Sequence, residues 1–260
     1  MATIVVCVKH VPDTWSERTL NPDFTLHREG VDEVIDEINE YAVEQALQLK
    51  EAHPDYTVTA VSMGSVRAEE ALRKALAMGA DEAVLLSDEA LAGSDVLGTA
   101  WALNAAINTI PDVALVITGN ESSDGGMGAV PGILAEYRGV PALTNLVSLS
   151  LEGSTLHGTR EDAHGVYELQ ASLPAVVSVT EKSTKPRFPN FKGIMAAKKK
   201  EITTLTLADT AATPEQVGLA HAATAVRQAT VRPERTQGTI TRGAAATEEL
   251  VEFLAGRGLI

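Results

Sequence analysis

Apolar residues follow two rhythms along this chain. Short continuous runs rich in β-branched residues alternate with longer segments in which apolar positions recur every three or four residues. Thr3 to Val8 is the first continuous run, and it stops at Lys9-His10-Val11-Pro12-Asp13. Tyr56 to Met63, Glu82 to Leu86 and Val113 to Thr118 repeat the pattern. Runs of this kind, bounded by turn residues, read as strands buried on both faces. Between them Glu37 to Glu51 places Ile38, Ala42, Ala46 and Leu49 on one helical face. Ala68 to Met78, ended by Gly79, and Asp95 to Thr109, capped by Ser94, read as further helices. Asn21 to Arg28 is polar and reads as a short excursion. Strands alternating with helices predict an α/β fold, a doubly wound parallel sheet with right-handed crossovers and strand order 3-2-1-4-5.

After Val140 the rhythm changes. Leu146 to Leu151, Thr155 to Arg160, Val166 to Leu173 and Ala175 to Thr180 are short strand-like runs, several separated by Gly or Pro. They read as antiparallel additions to the sheet edge. Residues 182–200 read as a loop, and residues 202 to 235 as an extended arm with weak periodicity. Thr247 to Ala255 reads as a terminal helix with Leu250, Val251 and Leu254 on one side. The expected organisation is an α/β domain over 1–200 and a C-terminal arm and helix over 201–260.

Composition narrows the picture. Only 4% of residues are aromatic, so the core must be aliphatic. The net charge of −14 opposes nucleic acid and anionic membrane as general partners. The single cysteine, Cys7, permits no internal disulfide and points to a reducing, cytoplasmic setting. No apolar run approaches a membrane span, and the first strand begins at once, as in a chain without a signal peptide.

The candidate chemistry lies after the fourth strand. Gly119, Gly125, Gly126 and Gly128 fall within ten residues, and Ala129 to Tyr137 then reads as a helix with Pro131 in its first turn. Backbone N–H groups of such a loop, with a helix N-terminus behind them, can cradle a phosphate. Glycines can equally serve only to turn the chain. The expected strand order hangs this loop over the point where the sheet reverses, between strands one and four, where ligands of open α/β sheets bind. The dinucleotide fingerprint is missed by one residue, and no Walker A sequence occurs. Ser122 to Gly126 holds the residue types of an adenylating enzyme's pyrophosphatase loop in the wrong order, which argues against that class.

Single residues leave two readings each. Asp124 would repel a phosphate if it faced one, or it bonds the loop's own N–H groups. Ser122 and Ser123 donate to phosphate or cap a turn. Lys9, at the end of strand one, faces a nucleotide or an acid. Cys7 reads as a small apolar core residue at that strand end. Met63, ending strand two, is core or an adenine wall. The histidines lack metal-ligand spacing and no Ser-His-Asp arrangement has local support, so neither a metal nor a catalytic residue is assigned.

Whole segments resemble the beta subunit of electron transfer flavoproteins. Val6 to Asp13 resembles the family's first strand and lysine-containing turn. Asp36 to Gln45 resembles the segment usually written NPFDEIALEE, with Asp36 and Glu37 in place of Asn-Pro. Ala71 to Asp81 is very close to the family form. Gly119 to Val130 resembles the nucleotide loop GxQxxDxDxxQV, with Gly126 replacing its second acid and Ala129 its glutamine. Leu173 to Val177, Pro186 to Phe188 and Ile194 to Lys200 are the most specific matches.

The resemblance implies an electron-carrier subunit, not an enzyme. FAD would sit mainly in an alpha subunit, and this subunit would bury an AMP, or a second FAD in electron-bifurcating members. Dehydrogenases, of the acyl-CoA type and related ones in the setting of fatty acid β-oxidation, would reduce the flavin. A membrane quinone oxidoreductase would take the electrons, without direct membrane insertion of this chain. Carried over residue by residue, the nucleotide would meet Asp36, Asn39 and the loop Gly119, Asn120, Ser122, Ser123, Asp124, Gly125, Gly126, Met127, Gly128, Ala129 and Val130, beside Cys7, Lys9 and Met63. The 182–200 loop, with seven Lys or Arg and no acid, would be the recognition loop for dehydrogenases. Phe191 would be its anchor, with Ile194 and Met195 beside it. The arm would dock on the alpha subunit. The rival class is a free-standing adenine nucleotide-binding module of the universal-stress type, which needs neither antiparallel additions, a basic loop nor a long tail.

Overall fold

A computed structural model describes residues 1–235 and 237–260. Met1–Val226 forms one compact unit and Arg227–Ile260 a second. The first unit is built on a nine-stranded sheet. Its strands are β1 (Ala2–Cys7), β4 (Tyr56–Met63), β5 (Glu82–Leu86), β6 (Val113–Gly119), β7 (Ala142–Glu152), β8 (Thr155–Asp162), β9 (Gly165–Ser172), β10 (Ala175–Val179) and β11 (Thr203–Leu205). A two-stranded antiparallel ribbon, β2 (His10–Pro12) and β3 (Glu33–Ile35), lies between β1 and α1 (Glu37–Ala52) in the chain.

The sheet order is β11-β5-β4-β1-β6-β10-β7-β8-β9. Five consecutive strands, β5-β4-β1-β6-β10, have the predicted 3-2-1-4-5 order, with β10 as strand five. Here the sequence reading of Ala175–Thr180 as an antiparallel addition is corrected. β10 pairs in parallel with β6 and with β7, and the antiparallel ladders are β7–β8 and β8–β9. The reason is burial. All five residues of β10 are buried, Val176 facing one core layer and Val177 and Val179 the other. A strand apolar on both faces belongs inside a helix-covered sheet.

Strand alternation builds both layers. Ile4 and Val6 of β1 meet α1 and α2 (Glu69–Met78), while Val5 and Cys7 face the layer of α3 (Val96–Ile107) and α4 (Val130–Arg138). α3 is capped by Asp95, whose carboxylate accepts from Gly98 N–H at 2.9 Å, not by Ser94. Two further corrections concern the later chain. Phe191–Ala197, inside the expected loop, is a helix, α5. The expected arm begins as an edge strand, β11, paired in parallel with β5, followed by short 3-10 turns. In the second unit, α6 (Ala246–Gly256) is the predicted terminal helix.

Candidate nucleotide site

The chain runs β1, β4 and β5 outward on one side of the sheet and then crosses to β6 on the other side of β1. The reversal therefore lies between β1 and β6, and the glycine-rich segment 120–129 leaves the C-terminal end of β6 there. Gly119, the last residue of that strand, lies where α1 crosses closely. A Cβ at Gly119 would stand 2.7 Å from Ile38 Cγ2 and 3.0 Å from Asn39 Nδ2.

The first half of the segment is bonded inward. Ser123 N–H donates to Asp36 Oδ2 at 2.8 Å, Gly125 N–H to Ser122 Oγ at 3.4 Å and Gly126 N–H to Ser122 O at 2.8 Å. The second half is not. Among the described residues, the N–H groups of Met127, Gly128, Ala129, Val130 and Gly132 donate no hydrogen bond within the chain. Gly128 has φ +65°, Pro131 brings no N–H to the first turn of α4, and Ala129 at its N-cap supplies no side-chain acceptor. Neighbouring N–H donors at an uncapped helix N-terminus fit an anion. Met127 is exposed at the rim.

Strand one and α1 brace this cradle. Lys9 N–H donates to Asn39 Oδ1 at 2.7 Å, and Asp36 N–H to Lys9 O at 2.9 Å. Asn39 and Asp36 are thus buried braces in this arrangement. Burial pushes the Asp36 carboxyl up from its ordinary value, with the Ser123 N–H opposing it. Lys9 Nζ reaches Asp124 Oδ1 at 2.6 Å and Ser122 Oγ at 3.2 Å. Met63 ends β4, half-buried against the same layer as Cys7. Burial pushes the Cys7 thiol up to about 12, which keeps it an inert core thiol.

Asp124 departs from the reading in which it bonds the loop's own N–H groups: its carboxylate is held by two cations instead. Its side chain is 3% exposed, with Lys9 on Oδ1 and Arg28 Nη2 on Oδ2, each at 2.6 Å. Burial acts to raise it, and Lys9, Ser122 and Arg28 outweigh that, so its carboxyl is held below the ordinary range. Arg28 and Arg18, whose guanidinium donates to Ser123 O, are functional neighbours that sequence reasoning missed. Both come from the polar segment before α1, and nothing in its periodicity points to a loop nearly a hundred residues away. A cavity of about 480 Å³ opens beside Asp36 and Ser123, but Glu37, Glu40 and Glu70 in its lining disfavour a phosphate there.

A profile of the electron transfer flavoprotein domain matches residues 23–210. The electron transfer flavoprotein subunit beta of Mycobacterium tuberculosis is 52% identical, with all of both chains covered. The subunit of that name from Megasphaera elsdenii is 36% identical, over 92% of this chain and 91% of its own. The caffeyl-CoA reductase-Etf complex subunit CarD of Acetobacterium woodii is 34% identical, over 94% of each. The chain belongs to the electron transfer flavoprotein family. Its place there is on the beta-subunit branch, and its work is electron transfer. The universal-stress reading falls with that membership.

A second candidate surface is α5. Asn190 caps it, accepting from Gly193 N–H at 2.8 Å. Gly193 permits contact with α2, where a Cβ would stand 2.5 Å from Ala77 O. Arg73 donates to the carbonyls of Ala197 and Lys200, and Lys200 Nζ returns to Ala80 O at 2.7 Å. Upstream, Arg187 is held by Glu44 at 2.7 Å and by Glu51 at 2.5 Å. The segment is thereby pinned through its backbone and arginines. Phe191, Ile194 and Met195 remain on one exposed helical face, Phe191 at 79% exposure, and Phe188 stands out at 86%. Among the described residues no helix is long and apolar enough to cross a membrane, and no cluster of three or more His, Cys, Asp or Glu is placed to hold a metal.

Proposed function

We propose that this chain is the beta subunit of a heterodimeric electron transfer flavoprotein. In this reading an alpha subunit holds most of the FAD, and this subunit buries an AMP between the ends of β1 and β4 and the loop 119–130. The observation that carries it is the row of undonated N–H groups from Met127 to Val130, hung over the sheet's reversal in a chain of this family. Lys9, at the same strand end, offsets the charge of Asp124 beside that row. Bound FAD would supply the one- and two-electron chemistry. The chain's own residues would orient the nucleotide, exclude water and present α5 to acyl-CoA-type and related dehydrogenases, with a membrane quinone oxidoreductase as acceptor.

A second reading, in which FAD replaces AMP in this subunit, is favoured by one observation: the similarity to a subunit of a caffeyl-CoA reductase-Etf complex. Denaturing the purified complex and separating the released nucleotides tests both. One FAD and one AMP per heterodimer supports the first reading and two FAD the second. One FAD with no AMP removes the nucleotide site from this subunit.

A further inference from the structure

A loop written Ser-Ser-Asp-Gly-Gly-Met-Gly has few side chains to hold it and much backbone freedom to lose. Besides strand one and α1, the segment between β2 and β3 braces it. Arg28 Nη2 meets Asp124 Oδ2 at 2.6 Å, while Nη1 meets Glu33 Oε1 at 2.6 Å and His10 O at 3.1 Å. Both carboxylates are 3% exposed. On the far side Arg67 Nη1 meets Glu33 Oε2 at 3.1 Å, and Arg67 also donates to the carbonyls of Arg28 and Val31. The Arg28 head group is thus fixed from both ends. Leaving Asp124 would strip a buried carboxylate of one of its two cations, which is costly.

We propose that Arg28 is a positioning residue for the nucleotide loop. It clamps Asp124 and so aims the N–H groups of Met127 to Val130, without touching the nucleotide itself. The proposal rests on the nucleotide reading above. The planar fork of arginine suits a bridge between two carboxylates on two elements, whereas Lys9 is a point charge with Asp124 as its one carboxylate partner. The pairing also answers the charge problem posed by an acid in a phosphate loop. With Lys9 on one oxygen and Arg28 on the other, the Asp124 charge is neutralised where it stands.

The test compares Arg28→Gln, Arg28→Lys, Asp124→Asn and the double variant Arg28→Gln/Asp124→Asn in the full-length chain. The readouts are amide hydrogen exchange over residues 122–130 and equilibrium binding of AMP to nucleotide-stripped protein. Arg28→Gln is expected to exchange faster there and to bind AMP about tenfold more weakly. Added to Asp124→Asn it should change little further, because the clamp is already gone. Arg28→Lys should recover part of the affinity, an outcome that general destabilisation would not give. Wild-type exchange over 122–130 in Arg28→Gln overturns the proposal. So does faster exchange with wild-type AMP affinity, or an effect that simply adds to that of Asp124→Asn. Should Arg28→Gln fail to fold, Arg28→Lys decides: intermediate values support the clamp, and wild-type values in both readouts overturn it. Wild-type protein that binds neither AMP nor FAD removes the nucleotide reading itself, and the exchange comparison then still decides whether Arg28 orders the loop.

Discussion

Gly119 and Gly128 lack a side chain for different reasons. At Gly119 the constraint is space, because α1 lies where a Cβ would go. At Gly128 the nearest atom to a Cβ would be 3.7 Å away, but φ is +65°. A side chain there meets the left-handed penalty of about 1–2 kcal/mol, more for a β-branched residue. Gly128→Val is therefore expected to lose bound nucleotide on gel filtration, and Gly128→Asn to keep most of it; equal retention by the valine variant would show that the left-handed turn is dispensable. Asp124 sets an acid limit on the same loop. Its folded pKa is lowered, so its contribution is complete above the ordinary carboxylate value and is lost as pH falls through the lowered one. Loop opening, read by amide exchange corrected for intrinsic rates, should rise as pH falls below roughly 4. Asp124→Asn should raise the baseline and abolish that acid limb. Asp36 has the opposite sign: its pKa is raised, so its neutral form stabilises the loop at low pH and that contribution fades as pH rises through the raised value.

At the scale of elements, α5 separates holding from presenting. Its backbone and Gly193 hold it to α2, and Phe191, Ile194 and Met195 face outward. Phe191→Ala should leave melting temperature and flavin content unchanged, because the ring is exposed. Under the proposed carrier reading it should slow reduction by a partner dehydrogenase severalfold at limiting partner concentration, as an apolar anchor at the centre of a contact would. Wild-type transfer rates would remove Phe191 as the anchor. Raising salt should slow association with an acidic partner, since Lys185, Lys192, Lys198 and Lys199 form no ion pair among the described residues and their steering is screened. The same elements show what a sequence can and cannot convey. β1, β4, β5 and β6 are continuous apolar runs, and their pattern alone places them inside the sheet. β10 had that signature too, and only its position among alternating strands led to the edge assignment. β2, β3 and α5 are three, three and seven residues long, too short for a period to emerge, and α5 is docked by Arg73 of another element. The loop was legible through its glycines. Its clamp was not, because Asp124 and Arg28 lie 96 residues apart and meet only through the fold.

At the scale of the whole molecule, the two units differ in what they bury. Met1–Val226 has aliphatic layers on both faces of its sheet, with Ile4, Leu72, Leu115 and Ile117 at or near zero exposure. In Arg227–Ile260, α6 leaves Leu250, Val251 and Phe253 about half exposed and buries no residue of its own. Exposed apolar side chains grouped on a helix outside any core mark an association surface. Under the heterodimer reading that surface meets the alpha subunit. Co-expression with an alpha-type partner should give a yellow one-to-one complex, and the chain alone should be prone to self-association. A chain ending at Val226 should keep the circular dichroism and cooperative melt of an α/β domain, because the sheet and both its layers lie within it, yet fail to co-purify with the partner. Leu250→Glu/Phe253→Glu in the full chain should weaken the complex without altering the melt of the first unit. A truncated chain that still co-purifies at full yield would place the subunit contact on Met1–Val226, and a truncated chain that unfolds would show that residues 227–260 complete its core.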